Sequence, residues 1–268
     1  ARSAGLSYWE AAGYTILGSA AWEVAGETTP PSINDQFTTG FGGSFLGEPL
    51  FRMASLLLES GKGGPPSFWR EMGAAAMSPS TGFNRWAYGN RFDGVFRSNN
   101  PAAYTLIAVG YTYNSKVKSS VNVNRNAEEP PTPQSYQTGE AIADFTIGYG
   151  LPGKPGYTYT RPFDYFHFQF TAASSNVLEN VMSRGLLYGT AYSAGDNYRG
   201  VWGLYGTFDY IAPQIFRIST TAASLGTTGQ WWISPKVALQ GSALAGVGYG
   251  SAGTIRGVGE RDYHNGIT

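Results

Sequence analysis

Two periodicities divide the chain. Up to about residue 88, apolar positions recur at helical spacing; from about Asn90 they alternate with polar ones at every second residue, as in half-buried strands. The boundary predicts an N-terminal helical segment over 1–88 and a β region over 89–268. Ser7 and Glu10 form an S-x-x-E capping box, in which hydroxyl and carboxylate satisfy orphan backbone N–H groups, so a first helix should run to Gly26. Thr29-Pro30-Pro31 breaks it. Ser32 and Asp35 repeat the box with a shorter acid and start a second helix towards Leu58, which Pro49 should kink or interrupt. A third, short helix follows Ser67, with Phe68, Trp69, Met72 and Met77 as apolar positions, before a turn at Ser78–Gly82.

Beyond residue 90 the alternation assigns faces. Ala141, Ala143, Phe145, Ile147 and Tyr149 oppose Glu140, Asp144 and Thr146; Phe166, Phe168 and Phe170 oppose Tyr165, His167 and Gln169. Trp202, Leu204, Phe208 and Tyr210 oppose Arg199, Tyr205, Thr207 and Asp209. Phe216 and Ile218 oppose Arg217, Ser219 and Thr221, and Leu239, Ala243 and Val247 oppose Gln240 and Ser242. Nine or ten long strands between 91 and 256 are expected.

Composition decides what covers the apolar face. Charged residues make up 13 % of the chain, against ~25 % in an ordinary soluble domain. Eighteen basic residues balance 18 acidic ones, so the basic excess that binds phosphate backbones is missing and no nucleic-acid partner is expected. There is no cysteine, which excludes disulfides and thiolate chemistry. The most apolar helical stretch, Ala11 to Trp22, falls short of the ~20 residues a spanning helix needs. A chain poor in charge, rich in Tyr, Trp and Gly, and apolar on alternate positions matches an antiparallel transmembrane β-barrel, lipid-facing on one side of each strand and lumen-facing on the other. A soluble β-sandwich would also alternate, but its outward face should carry more Lys and Glu.

Several blocks are similar to a known family: AGLSYWE (4–10), WEVAGETTPPSINDQFTTGFGGSFLGEPLFR (22–52), FNRW (83–86), PFDYF (162–166), GLYGTFDYIAPQIFRIS (203–219) and RDYHNG (261–266). They resemble an uncharacterised Gram-negative outer-membrane family catalogued as a domain of unknown function, with WE-x-x-GE-x-x-PPSIND and RDYH-x-G motifs. The chain departs from it at Pro49, where an aliphatic residue is expected. The resemblance implies a barrel of about 10–12 strands, a further strand or two past Thr268, and location in the bacterial outer membrane among its lipids and lipopolysaccharide. It implies no activity.

The residues offer two places for chemistry. Glu23 and Glu27 lie four apart on one helix face, just before a turn delivering Ser32, Asn34 and Asp35, while Glu48 and Arg52 continue a stripe on the second helix. These acids are expected to pair with arginines among Arg52, Arg85, Arg184, Arg199 and Arg217, locking the helices inside or under the barrel in a polar lumen network that includes Asp209 and His167. Four converging acids raise a divalent cation as an alternative, but the Glu-x-x-His pair of di-iron bundles and EF-hand spacing are both missing, and neither metal nor cofactor is expected. The second place is catalytic: His264 beside Asp262, with Ser32 or Ser219 as the hydroxyl, for a lipid-modifying hydrolase. GFGGSFLG over 40–47 lacks a Walker lysine and a preceding strand, and reads as small residues permitting close packing. Lys116 and Lys118 are placed on a solvated strand face near a loop, with contact to lipopolysaccharide phosphates or the lining of a pore for anions as the alternatives.

The expected function is passive or gated transport of a small solute or lipid through a lumen occluded by the helices. The alternatives are the Ser/His hydrolase and a structural or assembly-interface barrel.

Overall fold

A computed structural model describes residues 1–26, 36–60, 65–119, 134–174, 176–212, 216–254 and 264–267; side chains at 36, 114–119, 134–138, 254, 264 and 265 are outside the description. Helix α1 (Tyr8–Ala25) starts at the expected capping box: the Ser7 amide donates to Glu10 at 2.8 Å and the Glu10 amide donates to the Ser7 hydroxyl at 3.3 Å. After a π-helical turn (Gln36–Gly42) comes α2 (Gly43–Glu59), then α3 (Phe68–Met77) and α4 (Pro79–Tyr88). The turn expected at Ser78–Gly82 is instead the start of α4. Pro79 takes the first helical position, where its missing N–H would have had no partner anyway and its fixed φ suits the helix.

Pro49 does not end α2. A proline there leaves the carbonyl four residues earlier, on Phe45, without its helical donor. The Ser183 hydroxyl, on a neighbouring strand, donates to that carbonyl at 2.7 Å in a fully buried bond. The helix continues because the sheet supplies what the proline removes.

Eight strands follow among the described residues: β1 (Ala103–Ser119), β2 (Gln134–Tyr149), β3 (Phe166–Ala173), β4 (Asn180–Ala194), β5 (Tyr198–Ile211), β6 (Phe216–Ser234), β7 (Val237–Thr254) and β8 (His264–Ile267). Each pairs antiparallel with its neighbour in sequence, so the sheet is an up-and-down meander. Among the described residues β1 pairs only with β2 and β8 only with β7, so the sheet is open. Closure into the expected barrel of 10–12 strands is not seen among the described residues.

The register keeps the expected faces through most of the sheet. Phe145 and Ile147 lie opposite Phe170 and Phe168, while Asp144 and Thr146 lie opposite Thr171 and Gln169. Two local features break the pattern. Between Leu186 and Tyr188 the register shifts, leaving Leu187 as an extra residue that alternation alone does not reveal. At the start of β6, Thr221 pairs with Phe208, and Ile218 with Ile211. Arg217 therefore shares the apolar face with Phe208, and Phe216 and Ile218 take the polar one, the reverse of the expectation.

The sheet is strongly curled. Tyr104 on β1, His167 on β3 and Gln240 and Ser242 on β7 line one cavity, which a flat sheet would hold apart by the ~4.8 Å spacing of each intervening strand. The polar face is therefore concave and the apolar face convex.

The helices meet the sheet on its apolar face. Tyr8 of α1 and Phe45 and Met53 of α2 form one buried cluster with Ile147, Tyr149, Phe166, Phe168 and Val181. Phe45 lies over Gly206 so closely that a Cβ there would stand 2.6 Å from its ring, and Gly42 likewise allows the π-helical turn to approach Thr221 and Phe208. The packing reading of the 40–47 glycines holds at Gly40, which lies against Ile16 of α1, and at Gly42; Gly43 and Gly47 border open space. Phe163, another fully buried member of the cluster, holds φ 64°, a strained value for a bulky side chain. Its amide donates to the Leu186 carbonyl at 2.6 Å, and its ring fills the space that a side chain at Gly185 would need.

Candidate functional site

The expected lumen network divides into two separate constellations. The first joins helices to sheet on the apolar side. Arg2 donates from Nε to Glu48 Oε2 at 2.6 Å and from Nη2 to Oε1 at 3.0 Å. Arg52 donates from Nε to Glu48 Oε1 at 2.8 Å, from Nη1 to Asp164 Oδ1 at 2.9 Å, and from Nη2 to the Pro162 carbonyl at 2.6 Å. Asp164 in turn accepts from the backbone N–H of Thr160 and Arg161 at 3.0 and 2.7 Å, and from Arg161 Nε at 3.2 Å. Glu48, Arg52 and Asp164 are fully buried. Phe96 collects three guanidinium groups, with Arg52, Arg161 and Arg2 at 4.9, 4.8 and 5.6 Å from its ring centroid, so its π-face helps hold cations that outnumber the two acids. Burial alone would lower the Arg52 pKa, but Glu48, Tyr149 and Asp164 together raise it, so the guanidinium stays charged. Burial, followed by Glu48, pushes the Tyr8 hydroxyl above its ordinary range, and burial does the same for Tyr157 and Tyr159 in the β2–β3 loop.

At its centre Glu48, Arg52 and Asp164 are buried and spend their charged groups on one another and on the loop. Its chemistry is that of a joint: α2 contributes Glu48 and Arg52 four residues apart, and the 160–164 loop turns its backbone donors onto one carboxylate.

The second constellation lies on the concave polar face and is open. A cavity of about 360 Å³ is bounded by Tyr104, Tyr165, His167, Arg184, Tyr205 and residues of β6 and β7. His167 and Arg184 are cross-strand partners. Arg184 lies 3.8 Å from Asp209, and both are partly exposed. Tyr205 donates to Thr228 at 3.4 Å, Thr228 and Ser242 share a 2.8 Å bond, and Gln230 donates to Gln240 at 2.9 Å. Asp144 accepts from Gln169, Thr171 and Thr146 at 2.7, 2.8 and 3.0 Å. The β2–β3 loop folds over one end of this face, where the Gly153 amide donates to Gln230 and Arg199 reaches the Gly153 carbonyl.

The sequence-expected residues thus scatter. Glu48 and Arg52 are together, but on the apolar side rather than in the polar lumen. Arg85 stays within the helical part, paired with Glu71 at 2.8 Å and with Asp93, because α4 folds back beside α3. Glu23 is buried on α1. His167, Arg199 and Asp209 do share the polar face; Arg217 does not, because of the β6 register. Glu27, Ser32, Asn34, Asp35 and Asp262 lie outside the described residues, as do the side chains of Lys116, Lys118 and His264. Of the His264–Asp262–Ser32 set only the His264 backbone is placed, opposite Ala252. No group of three or more potential metal ligands occurs among the described residues. Sequence reasoning missed Arg2, Phe96, Arg161 and Asp164; the only pointer was the PFDYF block, which holds Asp164 at its centre.

Comparison with known proteins matches the N-terminal part of the sequence alone. The sequence profile of a family described as "Domain of unknown function (DUF3943)" covers residues 1–80, the helical part up to the start of α4. No curated protein and no solved structure matches the chain.

Proposed function

We propose that the protein is an outer-membrane β-barrel protein that passes a small polar solute along the concave face of its sheet, with hydrocarbon against the convex face and the helices propping the sheet. One observation carries the reading: the curled sheet has its polarity inside out relative to a water-soluble domain. Its inner face holds the hydroxyl, amide and ionic groups of the cavity. Its outer face, where the helices leave it uncovered, presents Ile107, Val109, Trp202, Leu225, Leu239 and Val247, with Val109 82 % and Val247 70 % exposed. Monomeric soluble proteins rarely leave a patch of that kind open. The helical part is also apolar outside: Trp69 and Trp86 are 79 % and 82 % exposed, as suits rings at the lipid–water boundary. No described helix is long and apolar enough to cross a membrane, so the strands would have to do so.

Single-channel recording in planar bilayers tests the reading. The chain should conduct KCl, and Arg184→Glu, at the cavity wall, should move its ion selectivity towards cations. A chain that never conducts, or that stays monodisperse in buffer without detergent, overturns it.

A further inference from the structure

The concave cavity has a composition more specific than polar. Three tyrosine rings border it, and Tyr165 and Tyr205 stand edge to face at 6.2 Å. Tyr165 borders the same cavity as Thr228 and Ser242, so hydroxyls from a loop and from β5, β6 and β7 converge at one wall. Each hydroxyl carries one donor and two acceptor sites, so this ladder keeps acceptor capacity after its internal bonds are made. Gln240 spends its carbonyl oxygen on Gln230, which leaves its amide N–H groups for the cavity.

The charged groups near it already have partners. Arg184 has a carboxylate 3.8 Å away on Asp209, and Asp144 is held by three side-chain donors. An anion entering here would approach Arg184 only beside Asp209, and an acyl chain would meet little apolar wall apart from Leu244. What remains is a set of neutral donors and acceptors flanked by ring faces. Those rings offer flat apolar surface to C–H groups, while hydroxyls and amides bond O–H groups. At about 360 Å³ the cavity is at the small end of the ~300–1,000 Å³ usual for ligand sites.

We propose that this cavity is a binding site for a neutral polyhydroxylated solute of mono- or disaccharide size. The proposal rests on the transport reading only in making that solute the cargo; binding itself can be measured without transport.

Equilibrium dialysis of the detergent-solubilised chain against radiolabelled maltose and glucose is the test, with inorganic phosphate and acetate as charged controls. Saturable uptake of at least one sugar, and none of either anion, is expected. Gln240→Leu and Tyr104→Ala, both at partly or fully exposed positions, should each weaken sugar binding about three- to tenfold, the worth of one lost neutral contact. An unchanged heat-shifted gel mobility would show that each variant is folded. Wild-type chain that takes up neither sugar, or that prefers phosphate, overturns the inference, and so do variants that are folded and bind as wild type. The outcomes separate the two readings: KCl conductance without sugar uptake removes the ligand and leaves the pore, whereas sugar uptake without conductance removes the pore and leaves the site.

Discussion

Pro49 shows how a single residue couples two parts of the molecule. Its ring deprives the Phe45 carbonyl of a helical partner, and Ser183 replaces that partner from the sheet at 2.7 Å. Removing the hydroxyl strands a buried acceptor, so Ser183→Ala should cost about 1–3 kcal/mol in urea unfolding. Pro49→Ala returns an N–H to the helix. In that background Ser183→Ala should cost well under half as much, a double-mutant cycle that fails if the two losses simply add. The joint at Arg52 is tighter still. With Arg52→Met, Glu48 keeps Arg2 and Asp164 keeps Arg161, but both acids lose their shared cation. A loss of about 3–5 kcal/mol is expected, and a loss under 1 kcal/mol would show that the cluster is decorative. None of this coupling is legible from sequence, because Ser183 and Asp164 are more than 100 residues from their helical partners.

Local elements were far more readable. The α1 start rests on a three-residue spacing, and Glu10 serves it by accepting the Ser7 amide, which together with the Ser7 hydroxyl holds its carboxyl below the usual range. A lowered carboxyl contributes stability above its unfolded value and loses it as pH falls through the folded one. Helix content of the wild-type chain, followed by far-UV circular dichroism, should therefore drop on acidification below the carboxylate range, and Glu10→Gln should flatten that drop at α1. Strand faces were readable for the same reason: alternation is a property of neighbours. It failed at Leu187 and at the start of β6, where the pairing of two strands, rather than either strand's own pattern, sets which way side chains point. The turn expected at Ser78–Gly82 failed because proline and glycine mark helix starts as well as turns.

At the scale of the whole molecule, the exposed convex belt is the feature with the largest consequence. If hydrocarbon covers it, Val109→Arg should reduce folding stability in lipid vesicles by about 2–4 kcal/mol, and Val109→Leu by almost nothing. A solvent-facing valine would tolerate either change, so equal stabilities would count against a membrane environment. The helices add a second whole-molecule result. Expected inside or under the barrel, they lie on the apolar face, since Tyr8, Phe45 and Met53 bury more apolar surface against Ile147, Phe166 and Phe168 than a polar wall could offer.

Periodicity, capping and the shortage of charge were enough to establish helices first, strands after, and one apolar face along most strands, because each depends on residues within a few positions of one another. Which face the sheet curls around, where the helices dock, and which arginine meets which acid were decided by tertiary structure alone. Those outcomes depend on contacts between segments distant in the chain, where burying Arg52 requires Asp164 and keeping Pro49 in a helix requires Ser183.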